Sequence, residues 1–298
     1  MIFKWTTLVM MAVFFVACSS GKNSVEELEA PLPSDCSEGE VSDVGIINGK
    51  KVKDGSWIES STGLLLFDHD NHSGLCTVSL VSRDVILTAA HCVTENGFLF
   101  NGNVHFGANP SCDQEDLRRE RQVSIKEIIV HPKYRDDVVG FNDLALVRLS
   151  RKAPKGFFPA KVAGEDTFKK LSDPSTQFVA VGYGNIRGYN KGYSHFPRLR
   201  TTPIHYFSDH KEKLGTQDLT DLVLDQKNGG MCSGDSGGPL YAKIKDQVYI
   251  AGVNSAVDKI NKSEDPCSGY SIAMSINNHR AFLQKAFDEL APGQKNPF

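Results

Sequence analysis

The sequence predicts an all-β domain closed by one C-terminal helix. Three observations carry that expectation. Apolar residues fall in short runs, the runs are broken by Gly, Asn, Asp and Pro, and helical spacing stands out only near the end. With 26 glycines and 13 prolines in 298 residues, the chain has turns to spare, which suits many short strands better than a helical bundle. In order, the expected strands are Leu64–Phe67, Thr77–Val81, Val85–Ala89, Val104–Phe106, Ile128–Val130, Leu144–Leu149, Phe178–Val181, Leu240–Ile244, Val248–Val253 and Tyr270–Met274. The helix is expected over Asn278 to Leu290, with Asn277 as N-cap. There Ala281, Phe282, Lys285, Ala286, Glu289 and Leu290 recur at helical spacing, and Phe287 widens the stripe. Pattern alone leaves a sandwich and a barrel both open.

Composition bounds the rest. Hydrophobic residues make up 40%, enough for a substantial core. Lys and Arg total 33 against 36 for Asp and Glu, a net charge of −3, so a concentrated basic face for nucleic acid is not expected. Three segments emerge: a signal peptide over 1–17, a tether or pro-segment over 18–45, and a single domain over 46–298. Lys4 supplies the charged start of the signal, and Leu8 to Ala17 are unbroken apolar. Such a run spans about 15 Å as a helix, too short for a ~30 Å hydrocarbon core. The run ends Val16-Ala17-Cys18-Ser19-Ser20. This resembles the lipobox of bacterial lipoproteins, with Phe15 where such boxes usually carry Leu, and implies lipidation at Cys18. The alternative is an ordinary signal cleaved near Ser19. Either way the protein is expected to be exported, to a bacterial periplasm, as an outer-membrane lipoprotein, or secreted; its only membrane contact would be the lipid. Residues 19–45 are polar and turn-rich and lack the periodicity of a packed element.

Three short segments carry the candidate chemistry: Leu87-Thr88-Ala89-Ala90-His91-Cys92, Asn142-Asp143-Leu144-Ala145-Leu146-Val147, and Cys232-Ser233-Gly234-Asp235-Ser236-Gly237-Gly238-Pro239-Leu240. A nucleophilic serine needs an exposed hydroxyl and backbone N–H groups aimed at the developing oxyanion. Glycines on both sides of Ser236 permit the tight bend and close approach. The N–H groups of Gly234 and Ser236 are candidates for the oxyanion hole. His91 is placed to accept the Ser236 proton, and Asp143 to hold the imidazole tautomer.

TAAHC, DLAL and GDSGGP, in the order His, Asp, Ser, resemble the chymotrypsin/trypsin family of serine endopeptidases. Ile46-Ile47-Asn48-Gly49, His131-Pro132-Lys133-Tyr134 and Gly182-Tyr183-Gly184 add to the likeness, which runs from about Ile46 to Leu290. The resemblance implies two six-stranded antiparallel β-barrels with the active site between them. It implies protein or peptide substrates, no cofactor and no catalytic metal. It also implies activation: cleavage after Gly45 by another protease would free an α-amino group on Ile46 to pair with Asp235. Gly45 stands where trypsin-activated precursors carry Arg or Lys. In this family the residue six before the nucleophile lines the base of the specificity pocket; here it is Gly230, followed by Met231. Ser255-Ala256-Val257 would form a wall, Val257 narrowing it, with Ser268 opposite. The expected preference is for small or medium apolar residues before the scissile bond. The family further implies disulfides Cys76–Cys92 and Cys232–Cys267. With Cys18 lipidated, Cys36 and Cys112 remain, either bonded, so that the pro-segment stays attached after cleavage, or as two free thiols.

Other signals are weaker. His69-Asp70-Asn71-His72 reads as a solvated loop more than a metal site. Asp113, Glu115, Asp116 and Glu120 fall where relatives have a calcium loop, but Arg118, Arg119 and Arg121 favour an ion-paired surface. Tyr183, Tyr189, Tyr193 and Phe196 are expected in a flexible glycine-rich loop without a role. A protease-fold binding module locked in its uncut form is the competing reading. An α/β-hydrolase esterase is disfavoured because that fold runs Ser, acid, His.

Overall fold

The structure is a computed structural model that describes residues 46–69, 72–171, 173, 175–184, 197–206, 221–258 and 267–298. The predicted signal peptide, tether, Cys18 and Cys36 lie outside them, as do Tyr189, Tyr193, Phe196 and the His69–His72 side chains.

Six antiparallel strands close the first barrel: β1 (Thr62–His69), β2 (His72–Leu80), β3 (Val85–Thr88), β4 (Asn101–Phe106), β5 (Gln122–Val130) and β6 (Ala145–Leu149), paired in the order β1-β2-β3-β6-β5-β4. The second comprises β7 (Gln177–Gly182), β8 (Arg200–Tyr206), β9 (Leu222–Asp225), β10 (Pro239–Ile244), β11 (Gln247–Asp258) and β12 (Tyr270–Ser275). Its order is β8-β7-β10-β11-β12-β9, and pairing of His205 with Asp225 and of Tyr206 with Leu224 closes the ring. Lys50–Lys51 adds a short edge on β8. Among the described residues there are four α-helices: α1 (Trp57–Ser61), α2 (Glu115–Arg121), α3 (Glu165–Leu171) and α4 (Arg280–Leu290).

The apolar runs are unbroken because most strands bury both faces. On β1, Leu65 points into the first barrel while Leu64 joins a second cluster lying between the barrels. On β3, Ile86 faces inward, and Val85 and Leu87 face the seam; on β6, Val147 and Leu146 divide the same way. Across the seam, Tyr241 and Ile250 meet that shared cluster while Leu240, Ala242 and Ala251 fill the second barrel. Period-two alternation thus supplies two cores from one strand.

The ten expected strands all form. Five more were not anticipated: β8, β9, the Lys50–Lys51 edge, and the short hairpin of Thr94–Glu95 with Phe98–Leu99. The β8 sequence Arg-Thr-Thr-Pro-Ile-His-Tyr is mostly polar and includes Pro203, which has no N–H to give the ladder. The three shorter helices were also missed; α1 is announced only by Ser56, whose Oγ accepts from Glu59 N at 3.3 Å. The C-terminal helix starts two residues later than expected, with His279 rather than Asn277 at the N-cap. Its buried face is Leu283, Ala286, Phe287 and Leu290, whereas Ala281, Lys285 and Glu289 are exposed. Lys285 and Glu289 shared the right period but carry charge, so the helix turns its more apolar stripe inward.

Candidate active site

His91 lies in a short 3₁₀ turn, Ala90–Cys92, directly after β3. The Cys76–Cys92 disulfide anchors that turn to β2. Its backbone N–H donates to Asp143 Oδ1 at 2.9 Å, and its Nδ1 stands 2.7 Å from Asp143 Oδ2. Two contacts from one residue fix the carboxylate plane as well as its distance. Asn142, at φ 52°, turns the chain so that Asp143 points inward ahead of β6. Asp143 is buried, and Ser255 Oγ donates a third hydrogen bond to its Oδ2 at 2.6 Å. Burial pushes the Asp143 carboxyl up, but the His91 charge and the His91 and Ser255 hydrogen bonds outweigh it, leaving the pKa below the usual range. For His91 burial pulls down, and the Asp143 charge and hydrogen bond win, so its pKa is raised.

Ser255 was expected only as a pocket wall. A register shift between Asn254 and Ala256 on β11 re-aims the strand there. Such a bulge has no signature in this sequence, so nothing in the residues announced the bond to Asp143.

The serine comes from a turn between the Cys232–Cys267 disulfide and β10. Gly234 and Gly237 take φ of +96° and +79°, where a Cβ would be strained and would also strike Leu75 or Thr88. Asp235 N donates to Cys232 O, Gly237 N to Asn254 O and Gly238 N to Asp235 O. The N–H groups of Gly234 and Ser236 have no acceptor among the described residues. Asn254 Nδ2 donates to Asp235 O at 3.2 Å, and Thr77 spans the seam: its N–H donates to Ser236 O at 2.8 Å and its Oγ1 to Gly234 O at 3.0 Å. Ser236 Oγ itself donates to Ser255 O at 3.3 Å. A Ser236–His91 hydrogen bond is not formed among the described residues; His91 Nε2 faces Cys92 Sγ at 3.8 Å.

Asp235 is fully buried beneath this turn. Its Oδ1 accepts from Gly184 N at 2.8 Å and its Oδ2 from Cys232 N at 2.9 Å. Burial pushes its pKa up to about 7 against those two hydrogen bonds. Side chains on Gly182 or Gly184 would collide with the carboxyl, so Gly182-Tyr183-Gly184 shapes its cradle. Tyr183, expected in a flexible loop, is instead fully buried and donates to Gly107 O at 2.7 Å. Ile46 is buried in the second barrel's core, and Ile47 exchanges both backbone hydrogen bonds with Gly230. The predicted Ile46–Asp235 ion pair needs a free α-amino group, which the continuous chain does not have.

A pocket with about 100 Å³ of room opens beside Ser236, lined by Met231, Cys232, Ser233, Asn254, Ser255, Ala256 and Val257. Gly230 and Ser268 are not in that lining: Gly230 is committed to Ile47, and Ser268 is exposed. Elsewhere, an ion-paired surface forms only in part: Arg119 pairs with Glu115 at 2.9 Å in the open, whereas Asp113 is buried, 2.8 Å from buried His105 and 3.1 Å from Arg121. Cys112 is disulfide-bonded; the Cys36 half of the expected pair is outside the described residues. Among the described residues, the grouping that could approach a metal is Cys76, His91 and Cys92, whose sulfurs are joined to each other.

Two antiparallel barrels with a His–Asp pair on one and a glycine-flanked serine on the other define the chymotrypsin-like serine protease class. The family profile described as Trypsin matches residues 46–279. The chain belongs to the trypsin family. It is 26% identical over 243 residues to venom serine protease Bi-VSP of Bombus ignitus, covering 77% of this chain and 66% of that protein. With transmembrane protease serine 11E of Mus musculus it shares 28% over 233 residues, 75% of this chain and 51% of that protein. With chymotrypsin-like elastase family member 1 of Rattus norvegicus it shares 26% over 229 residues, covering 74% and 83%. The chain therefore spans 66% and 51% of the length of the first two. These relatives are eukaryotic and lend nothing to the bacterial lipobox expectation.

Proposed function

We propose that the protein is an exported serine endopeptidase. One observation carries the reading: a buried, triply hydrogen-bonded Asp143 orients His91 beside a serine turn that leaves the Gly234 and Ser236 N–H groups free. In the reaction, Ser236 Oγ forms a bond to the scissile carbonyl carbon as His91 Nε2 takes its proton. The two free N–H groups receive the oxyanion. The imidazolium, paired with Asp143, then protonates the leaving amine as the C–N bond breaks. Water attacks the acyl-enzyme by the same route, releasing the acid and restoring Ser236. Substrates are proteins or peptides.

Cleavage after Gly45 by another protease would give Ile46 an ammonium group, and buried Asp235 is its acceptor. The small pocket walled by Met231 and Val257 favours small or medium apolar residues before the scissile bond. The disulfides favour an oxidising compartment, and the run ending at Cys18 favours export with a lipid on that cysteine. The second reading, an uncut and inactive binding module, is favoured by the Ser236 hydroxyl turning to Ser255 O rather than to His91.

Intact mass of the purified protein, before and after a fluorophosphonate, separates the two. A chain starting at Ile46, with any Cys36–Cys112-linked fragment accounted for, and one adduct absent from Ser236→Ala, is the expected result. An intact Gly45–Ile46 bond with no adduct would support the binding module. The mass of the N-terminal fragment reports any lipid on Cys18.

A further inference from the structure

Gln226, directly after β9, is a buried polar side chain that the mechanism does not use. Its carboxamide is fully engaged: Nε2 donates to Cys267 O at 2.7 Å, and Oε1 accepts from Met231 N at 2.5 Å. Its backbone is held too, with N–H donating to Gly269 O at 3.3 Å and its carbonyl accepting from Gly229 N at 3.2 Å. Gln226 therefore ties Met231, a wall of the substrate pocket, to Cys267, the disulfide partner of another wall residue, Cys232. Gly230 immediately precedes Met231. A Cβ on Gly230 would fall inside the van der Waals envelope of Gln226 Oε1, Cδ and Cγ. The carboxamide cannot easily swing aside, because both its ends are hydrogen-bonded in a site closed to water. Nor can Gly230 retreat, since its N–H and carbonyl are both paired with Ile47.

We propose that the carboxamide of Gln226, from the same loop that carries Gly230, occupies the space a side chain at position 230 would take, and so sets the depth and neutrality of the substrate pocket. Gln226 is a positioning residue here: it acts through Met231 and Gly230 and need not touch substrate. This proposal rests on the reading of the pocket as the endopeptidase's substrate site. It follows that neutral, small or medium apolar side chains are selected by two residues jointly. An acid placed at 230 alone is expelled by Gln226 and does not make a site for Arg or Lys.

The test uses the full chain in a Ser236→Ala background and p-aminobenzamidine, a cationic aromatic probe whose fluorescence reports pocket binding without any turnover. Gly230→Asp alone is expected to bind it no better than the parent, and to melt at a lower temperature. The pair Gln226→Ala with Gly230→Asp is expected to bind at least about tenfold more tightly than Gly230→Asp alone, and to recover melting temperature. Equal probe affinity in the single and paired variants, or a pair less stable than the single, overturns the proposal. In the active-serine background, Gln226→Ala should raise kcat/KM for Leu relative to Ala before the scissile bond, a ratio that a merely structural role would leave unmoved. Absence of fluorophosphonate labelling in every chain would sink the protease reading, while the amidine titration would still decide the role of Gln226.

Discussion

The two sides of the site are finished to different degrees. On the first barrel, His91 and Asp143 are locked by two mutual hydrogen bonds, a third from Ser255 and a disulfide at the next residue. On the second, the Ser236 turn is shaped by glycines and braced by Thr77 and Asn254, yet its buried Asp235 has only two backbone N–H groups for partners. No side-chain cation stands against Asp235 among the described residues, and burial pushes its pKa up to about 7. On the proposed reading, cleavage after Gly45 would act on the second side, through Asp235, and leave the His91–Asp143 side as it stands.

The largest break in that comparison is at Asp143. Asp143→Asn should lower kcat by about 10⁴-fold, because the amide favours the wrong imidazole tautomer. The same variant tests the pH dependence. His91 must be neutral to take the serine proton, and its pKa is raised, so activity should rise with pH through a midpoint above the ordinary value of about 6.5. In Asp143→Asn that midpoint should fall. The stability carried by the imidazolium–carboxylate pair has the opposite dependence: it is present below about 6.5 and lost as pH climbs through the raised value. Steady-state kinetics and melting curves across pH check both limbs.

Next in size is Asp235→Asn. Breaking a buried pair costs about 3–5 kcal/mol, so chains cut after Gly45 should lose roughly 10² to 10³-fold in fluorophosphonate labelling rate. The uncut chain should lose less, since burial has raised its carboxyl to about 7 and no side-chain cation among the described residues pairs with it. Equal losses in cut and uncut chains would erase the contrast between the two sides.

Ser255→Ala should cost about 10- to 100-fold in kcat/KM, the worth of one hydrogen bond to a buried charge, and should raise the Asp143 pKa. Smallest is Val257→Gly, expected to shift selectivity towards larger side chains by about 1–3 kcal/mol without changing labelling by a small fluorophosphonate. Peptide libraries read that shift.

Much of this was legible in the residues. The runs at Val85–Ala89 and Leu144–Leu149 were read as strands because they are long enough, apolar and sharply bounded. The same continuity concealed which face met which core, since Leu64 and Leu65 look alike in sequence and serve different clusters. β8 was hidden by threonines and a proline that its neighbours tolerate. At the site, His91, Asp143 and Ser236 are announced by their flanking residues. The contributions of Ser255, Asn254 and Gln226 depend on a register shift and on backbone carbonyls brought from distant strands, and no local pattern encodes those.

Thr77 has a consequence for how such a chain can be rebuilt. It takes three of its bonds across the seam, two to the serine turn and one from Tyr183 N at 3.1 Å, while its own carbonyl accepts from Thr88 at 3.2 Å. The barrels are therefore indexed to each other at the backbone of the serine turn by one small polar residue. Chimeras that exchange whole barrels between relatives will inherit folded halves; whether they inherit an aligned nucleophile depends on carrying a threonine at this one point of the joint.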